Sequence, residues 1–158
     1  GELNYEEEIV MLTLLKKKNV VANIELDENS ELEALKVIAN RAATKLDVAE
    51  QELKSGFFAS GAQDAIIIGD EAVILHATSS AIAHPEAVIM SFAAPVLWGD
   101  DNSRVDIAVA IVLPVDADDE YQNMLNNARV AISDHIEELD SLKGSNAGLK
   151  TLWKEINR

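Results

Sequence analysis

Residues 105–113 constrain the fold most, because every position in this stretch is apolar except Asp106. A strand has such a continuous apolar run when helices cover both faces of its sheet. Two shorter apolar runs, residues 72–75 and 87–92, each lead into a polar or proline-bearing connection and are predicted to be partner strands. The sequence therefore predicts an α/β fold, a mixed β-sheet covered by helices on both faces, with residues 105–113 as a central strand.

Helices are predicted from capping residues, from charges that complement the helix dipole and from apolar residues at helical spacing. Ser30 followed by Glu33 is a capping box, and Gly56 is predicted to end the short helix that precedes it. The predicted helices cover residues 5–18, 31–45, 47–54, a long region after residues 116–120 that restarts near Ser133, and a terminal segment after residues 144–146. The first of them is apolar on more than one face, which favours a homodimer.

Length and composition limit the class of protein. A chain of 158 residues predicts a single domain over residues 1–158. The absence of cysteine excludes disulfides, thiolate zinc sites and a cysteine nucleophile, and it fits a cytoplasmic protein. No apolar run approaches the ~20 residues that cross a bilayer, so no direct membrane insertion is expected. With 13 basic and 28 acidic residues, the formal net charge of −15 disfavours nucleic-acid binding.

The motifs of several enzyme classes are missing from the sequence. It contains neither of the glycine-rich nucleotide-binding motifs, G-x-x-x-x-G-K-[ST] and G-x-G-x-x-G, nor the hydrolase motif G-x-S-x-G. The acidic residues among positions 116–120 are interpreted as favourable charges at a helix start, because no histidine lies among them at ligand spacing. The sequence therefore predicts no cofactor and no metal site.

The three histidines are candidates for chemistry. His135 is predicted to be solvated on a helix surface among acidic residues, and His84 lies in a loop before Pro85. His76 lies where a buried strand meets its loop, a place where open α/β folds put functional residues. By pattern alone, a histidine beside a core strand is more often structural.

Three hydroxyl residues follow His76 after a single alanine. The side chains and backbone N–H groups of Thr78, Ser79 and Ser80 could hold the oxygens of an anion, as oriented backbone donors do in anion sites. The other interpretation is an ordinary polar loop, which is more common for single hydroxyls.

The segments around His76 resemble a known family. They are, in chain order, Val73-Ile74-Leu75-His76-Ala77, Pro95-Val96-Leu97-Trp98-Gly99, and Val105-Asp106-Ile107 through Val112-Leu113-Pro114, with a helix soon after. This order resembles the type 2 IIA domain of the bacterial sugar phosphotransferase system (PTS), a group that includes mannitol- and fructose-type IIA domains and nitrogen-regulatory IIA proteins. The resemblance implies that His76 accepts a phosphoryl group from the phosphocarrier HPr and passes it to a IIB cysteine or reports it to a regulator.

Several positions depart from the family pattern. Leu75 stands where the family has proline, and Tyr121 stands where many members have a second histidine. The family also has an arginine–glutamate pair ahead of the signature, whereas no arginine lies between Arg41 and Arg104 here, and Lys54 is the nearest cationic substitute.

These departures imply altered support for the phosphoryl group. By the resemblance, Ser79, Ser80 and Tyr121 support the phosphate site, and slower or differently tuned transfer is expected because a tyrosine hydroxyl is neutral at ordinary pH. The alternative from another class is a regulatory binding module that keeps the fold without phosphotransfer. The sequence names neither the sugar nor the regulatory target.

Overall fold

The computed structural model describes residues 4–8, 19–63 and 65–157, and these residues contain a five-stranded mixed sheet between two helical layers. The strands are β1 Val20–Ile24, β2 Ile66–Ile68, β3 Ala72–Thr78, β4 Glu86–Trp98 and β5 Ser103–Leu113. The helices are α1 Glu31–Leu46, α2 Glu50–Gln63, α3 Asp118–Asp134, α4 Leu139–Leu142 and α5 Asn146–Ile156, with a 3₁₀ turn at Ile136–Glu138.

The strand order is β1-β4-β5-β3-β2, which confirms β5 as the central strand. It runs parallel to β3 and antiparallel to β4, so its residue Ile111 pairs with His76 on one side and with Ala87 on the other. At one end of the sheet, therefore, the C-terminal ends of β3 and β5 meet the N-terminal end of β4. We call it the His76 end.

Each face of the sheet packs against its own helical layer, as the uninterrupted apolar run of β5 predicts. Side-chain alternation in β3 sends Leu75 toward α1 and α2, and Ile74 toward α3 and α5. Both residues are fully buried, and burying an aliphatic side chain of this size contributes about 1.5–3 kcal/mol. The predicted α/β fold with helices on both faces is confirmed.

The one polar residue of the central apolar run, Asp106, lies at the opposite end of the sheet. Its carboxylate accepts a hydrogen bond from Lys143 Nζ at 2.8 Å, and Asp140 lies 3.0 Å from the same ammonium group. Burial disfavours the charged ammonium, but the hydrogen bonds to the two carboxylates outweigh it and raise the pKa of Lys143. Buried Ser91 also lies at this end of the sheet, because its hydroxyl donates to the Lys143 carbonyl at 2.7 Å. We call it the Lys143 end.

Helix α1 begins as predicted, whereas α2 differs from its prediction. The Ser30 hydroxyl accepts the backbone N–H of Glu33 at 3.3 Å, which confirms the cap. The prediction that Gly56 ends the next helix is wrong, since α2 continues through it to Gln63. A Cβ added at Gly56 would lie 2.7 Å from Ala77 Cβ. Glycine therefore serves here for close packing of a helix on a strand, and Phe57 beside it is fully buried.

Most of the predicted first helix lies outside the described residues. Residues 5–8 are helical and exposed, and residues 9–18, on which the argument for a homodimer depends, are not among those described. Across the part of the chain that is described, no helix is long and apolar enough to cross a membrane.

Candidate functional site

His76 lies two residues before the end of β3, half-buried at the His76 end. It shares a sheet face with Ile74, so its ring projects toward the layer that contains α3. Strand β2 has only three residues, and its pairing with β3 stops at Ile74. The backbone N–H of His76 lies beyond that ladder and donates to the Ser60 hydroxyl at 3.0 Å.

Two hydroxyl groups contact the Nδ1 atom of the His76 ring. Ser60 Oγ lies 3.3 Å from this nitrogen, and Tyr121 Oη lies 3.2 Å from it. The Tyr121 ring also packs on the imidazole, with centroids 4.9 Å apart and planes tilted by 45°. Because a hydroxyl can donate or accept, either group can hold Nδ1 with or without its proton. The contacts therefore orient the ring.

Tyr121 is a predicted site residue, and the structure brings it to His76 from the first turn of α3. It is half-buried, and the acidic residues Asp118, Asp119 and Glu120 precede it in that turn. The role of its hydroxyl in chemistry stays a prediction.

The other two predicted site residues, Ser79 and Ser80, contact Glu52 of α2. The buried Ser79 hydroxyl donates to Glu52 Oε2 at 3.1 Å, and the Ser80 backbone N–H donates to Oε1 at 2.6 Å. The Ser80 backbone hydrogen bond is the chief cause of a lowered Glu52 pKa, which burial opposes and the Ser79 hydroxyl reinforces. The loop after His76 is thus held to α2 by a carboxylate. The role of the two serines toward phosphate stays a prediction.

The nearest arginine that follows His76 in the sequence, Arg104, is remote from it in the structure. Arg104 pairs with Leu97 near the start of β5, whereas His76 pairs with Ile111. The rise of a strand separates these two positions of β5 by about 23 Å. Lys54 is half-buried on α2.

The remaining histidines lie elsewhere. His84 is exposed in the loop before β4, where it borders an open cavity of about 570 Å³ with Lys154. His135 caps the C-terminus of α3 with its side chain only 18% exposed, so the prediction of a solvated position is wrong. Helix α5 covers it, because Glu155 Oε2 lies 2.9 Å from His135 Nε2. This hydrogen bond is the chief cause of a raised His135 pKa.

Sequence reasoning missed Ser60 and Glu52. Both lie on α2 at spacings of four from Gly56, so all three share one face of the helix. That face would have been visible in the sequence had Gly56 been recognised as an interior helix residue.

Comparison with known proteins is consistent with this architecture. Residues 13–145 match the family described as "Phosphoenolpyruvate-dependent sugar phosphotransferase system, EIIA 2". The structure is similar to nitrogen regulatory protein IIA-Ntr from Neisseria meningitidis, with a TM-score of 0.72 and 15% identity over 88% of this chain and 94% of that one. It is also similar to IIA mannitol from Escherichia coli, with a TM-score of 0.60 and 15% identity over 85% of this chain and 95% of that one.

At these identities the structural likeness shows the fold alone, and no curated protein matches the chain by sequence. The family match, in contrast, spans most of the chain and includes the strand of His76, the central strand and α3. The protein therefore belongs to the type 2 EIIA family of the phosphoenolpyruvate-dependent sugar phosphotransferase system.

Proposed function

We propose that the protein is a phosphoryl carrier of the bacterial sugar or nitrogen-regulatory phosphotransferase system. His76 accepts the phosphoryl group from an HPr-like phosphocarrier and passes it to a cysteine of a IIB domain or reports it to a regulatory protein. The observation that carries this proposal is the contact of two hydroxyls with His76 Nδ1, at 3.2 and 3.3 Å. No bound cofactor takes part.

The hydroxyl contacts indicate which ring nitrogen would react. A neutral imidazole attacks through the nitrogen that has a lone pair, and the hydrogen bond made by the other nitrogen decides where the proton resides. The oxygens of Ser60 and Tyr121 can each accept an Nδ1–H. A proton held on Nδ1 leaves the lone pair on Nε2, so Nε2 is the proposed nucleophile.

The transfer balances without an added acid, base or oxidant. The Nε2 lone pair forms the new N–P bond while the N–P bond of the donor phosphohistidine breaks and its electron pair returns to the donor ring. In the next step an acceptor thiolate forms an S–P bond, and the electrons of the N–P bond return to Nε2. The protein contributes chiefly in-line positioning and charge stabilisation in such reactions.

Charge develops on the imidazole as its N–P bond forms. Nδ1–H then becomes a stronger donor, and Tyr121 Oη, at 3.2 Å from Nδ1, accepts from a group of growing positive charge. An interaction that strengthens toward the transition state accelerates the step. Ser79 and Ser80 support phosphoryl oxygens in this proposal only if their donors turn away from Glu52.

The alternative is a regulatory binding module that has lost phosphotransfer. Two observations favour it: the hydroxyls at Nδ1 are neutral, and no arginine lies between Arg41 and Arg104. In this case the fold would present a surface to a partner without turning over phosphate.

One experiment separates the two functions. The protein is incubated with phosphoenolpyruvate, the general enzyme of the system and several HPr-like carriers. We expect an acid-labile, base-stable adduct with the mass of one phosphoryl group, which His76→Ala abolishes and which His84→Ala and His135→Ala retain. Label that persists in His76→Ala would contradict the site. A wild-type protein that takes no label from any carrier would favour the regulatory module.

A single domain over residues 1–158, a cytoplasmic location, a homodimer and the absence of nucleic-acid binding remain part of this proposal. Light scattering tests the dimer directly. A single species at the chain mass of 17.2 kDa at high protein concentration would contradict it.

A further inference from the structure

We propose that Ser60 is the positioning residue of His76, fixing both the orientation of its ring and the proton on Nδ1. The geometric part of this inference depends on the contacts of Ser60. Its effect on rate rests on the proposed phosphoryl transfer. Ser60 is only 2% exposed, so it is a buried residue and not a surface one.

A single oxygen contacts His76 at two points. Ser60 Oγ accepts the backbone N–H of His76 at 3.0 Å and lies 3.3 Å from Nδ1 of the same residue. A hydroxyl oxygen has two lone pairs, so after accepting the backbone N–H it can still accept Nδ1–H. Because one atom holds both the backbone and the ring, rotation of the imidazole about its side-chain bonds is restricted.

The position of Ser60 is itself fixed by α2. Glu52, Gly56 and Ser60 are spaced by four residues and contact successive parts of the end of β3. Ser60 contacts His76, Gly56 packs on Ala77, and Glu52 holds the loop that follows. The rise of a helix places Glu52 about 12 Å along the axis from Ser60. Glu52 therefore acts on the loop, and Ser60 is the member of this face that contacts the ring.

The tautomer with its proton on Nδ1 can donate that proton to Ser60 or to Tyr121. Without the Ser60 hydroxyl, Tyr121 is the one of these two acceptors that remains. The competing tautomer, with its proton on Nε2 and no nucleophilic lone pair there, would then gain population. The loss of one such hydrogen bond is expected to slow phosphorylation of His76 about tenfold.

The test compares Ser60→Ala with Ser91→Ala. Ser91 is also a buried serine whose hydroxyl accepts one backbone N–H, that of Asn23 at 2.9 Å, but it lies at the Lys143 end. Nitrogen-15 NMR of the His76 ring in the unphosphorylated protein reports the tautomer, and labelling from phosphoenolpyruvate reports the rate. We expect Ser60→Ala to shift the ring resonances and slow labelling about tenfold. Ser91→Ala should lose stability and change neither readout.

An unchanged ring spectrum in Ser60→Ala would overturn the proposal, whatever happens to the rate. If wild-type protein takes no phosphoryl group, the proposed function fails while the spectrum still decides the role of Ser60. If Ser60→Ala does not fold, Ser60→Cys keeps the side-chain shape with a weaker hydrogen-bonding group. That variant must then show the ring shift, and a wild-type spectrum would overturn the proposal.

Discussion

His76 and His135 occupy opposite ends of the molecule and have opposite kinds of neighbours. Nδ1 of His76 contacts the hydroxyls of Ser60 and Tyr121. His135 instead lies between the carboxylates of Glu155 and Glu138, at 2.9 and 3.6 Å. Both rings are half-buried, so burial alone does not distinguish them.

The two sets of neighbours differ in the hydrogen-bonding roles that they can take toward the imidazole. Ionised carboxylates are acceptors only, so they favour the protonated imidazolium of His135, and Glu155 links the ring to α5. Hydroxyls can donate or accept, so they can hold a neutral His76 ring in either tautomer without supplying a countercharge. The type of hydrogen-bonding partner therefore separates the candidate nucleophile from a structural histidine.

The largest expected effect comes from removing the Tyr121 hydroxyl. A hydrogen bond to a charged group is worth roughly 1.5–3 kcal/mol, and about 1.4 kcal/mol corresponds to tenfold in rate. Tyr121→Phe should slow phosphorylation of His76 by about one to two orders of magnitude, because the interaction is strongest as the imidazolium forms. Initial rates of labelling measure this, and Tyr121→His, which can carry a charge, should be faster than Tyr121→Phe.

The unfolding midpoint of Tyr121→Phe is the control, since the aromatic ring and its packing on His76 are retained. Combined with Ser60→Ala, the variant should lose less rate than the product of the two single losses, because both hydroxyls act on one nitrogen. An unchanged rate in Tyr121→Phe would remove Tyr121 from the site.

The second prediction concerns the packing that brings α2 to the His76 end. Gly56→Ala places a methyl group 2.7 Å from Ala77 Cβ and 2.9 Å from its Cα. Overpacking costs about 1–3 kcal/mol, which should exceed the gain of about 1 kcal/mol in helix propensity. We expect the free energy of unfolding in urea to fall by up to about 2 kcal/mol.

Gly144→Ala is the matched control at the Lys143 end, where an added Cβ would have no atom within 4 Å. It should change stability little. A Gly56→Ala protein more stable than wild type would show that α2 and β3 can separate without cost.

The smallest effect concerns His135 and depends on pH. Its pKa in the folded protein is raised above the ordinary value of 6.5, chiefly by the hydrogen bond to Glu155. A raised folded pKa gives stability that is fully present below pH 6.5 and is lost as pH rises through the folded pKa. Relative to His135→Gln, the wild type should therefore lose up to about 1 kcal/mol of its advantage from acidic to alkaline pH.

Thermal unfolding of both proteins across this pH range measures the difference. A difference that stays constant with pH would mean that the carboxylates of Glu155 and Glu138 do not stabilise the imidazolium. It would also remove the contrast between the two histidines.

The sheet and several helices could be predicted because their signals are local. The apolar run of β5 requires cover on both faces, and the Ser30 cap defines the start of α1 in three residues of sequence. The C-terminal helix forms as expected, although it begins at Asn146, the last residue of the predicted break. Each of these depends on hydrophobic period or backbone capping, which tertiary contacts reinforce.

The candidate site could be predicted only in part, because its partners come from distant contacts. Gly56 has the local signal of a helix end, and only its close approach to Ala77 explains why α2 continues. Ser60 therefore fell outside the predicted helix. His135 has the signal of an exposed helix residue, and Glu155, twenty positions away, buries it. Tyr121 was found through the family resemblance, not through any local pattern.

The two hydroxyls at His76 Nδ1 differ in their sequence separation from His76. Ser60 lies 16 positions from His76, within the consecutive elements α2, β2 and β3, whereas Tyr121 lies 45 positions away. Short-range contacts form at a lower entropic cost than long-range ones, and surface helices can open locally while a core persists. An excursion that detaches the first turn of α3 would remove Tyr121 from Nδ1 and leave Ser60 as the one of these two hydroxyls still in contact. The opening equilibrium of that turn, which amide hydrogen exchange can measure, therefore sets how much of the population has a complete site at any instant.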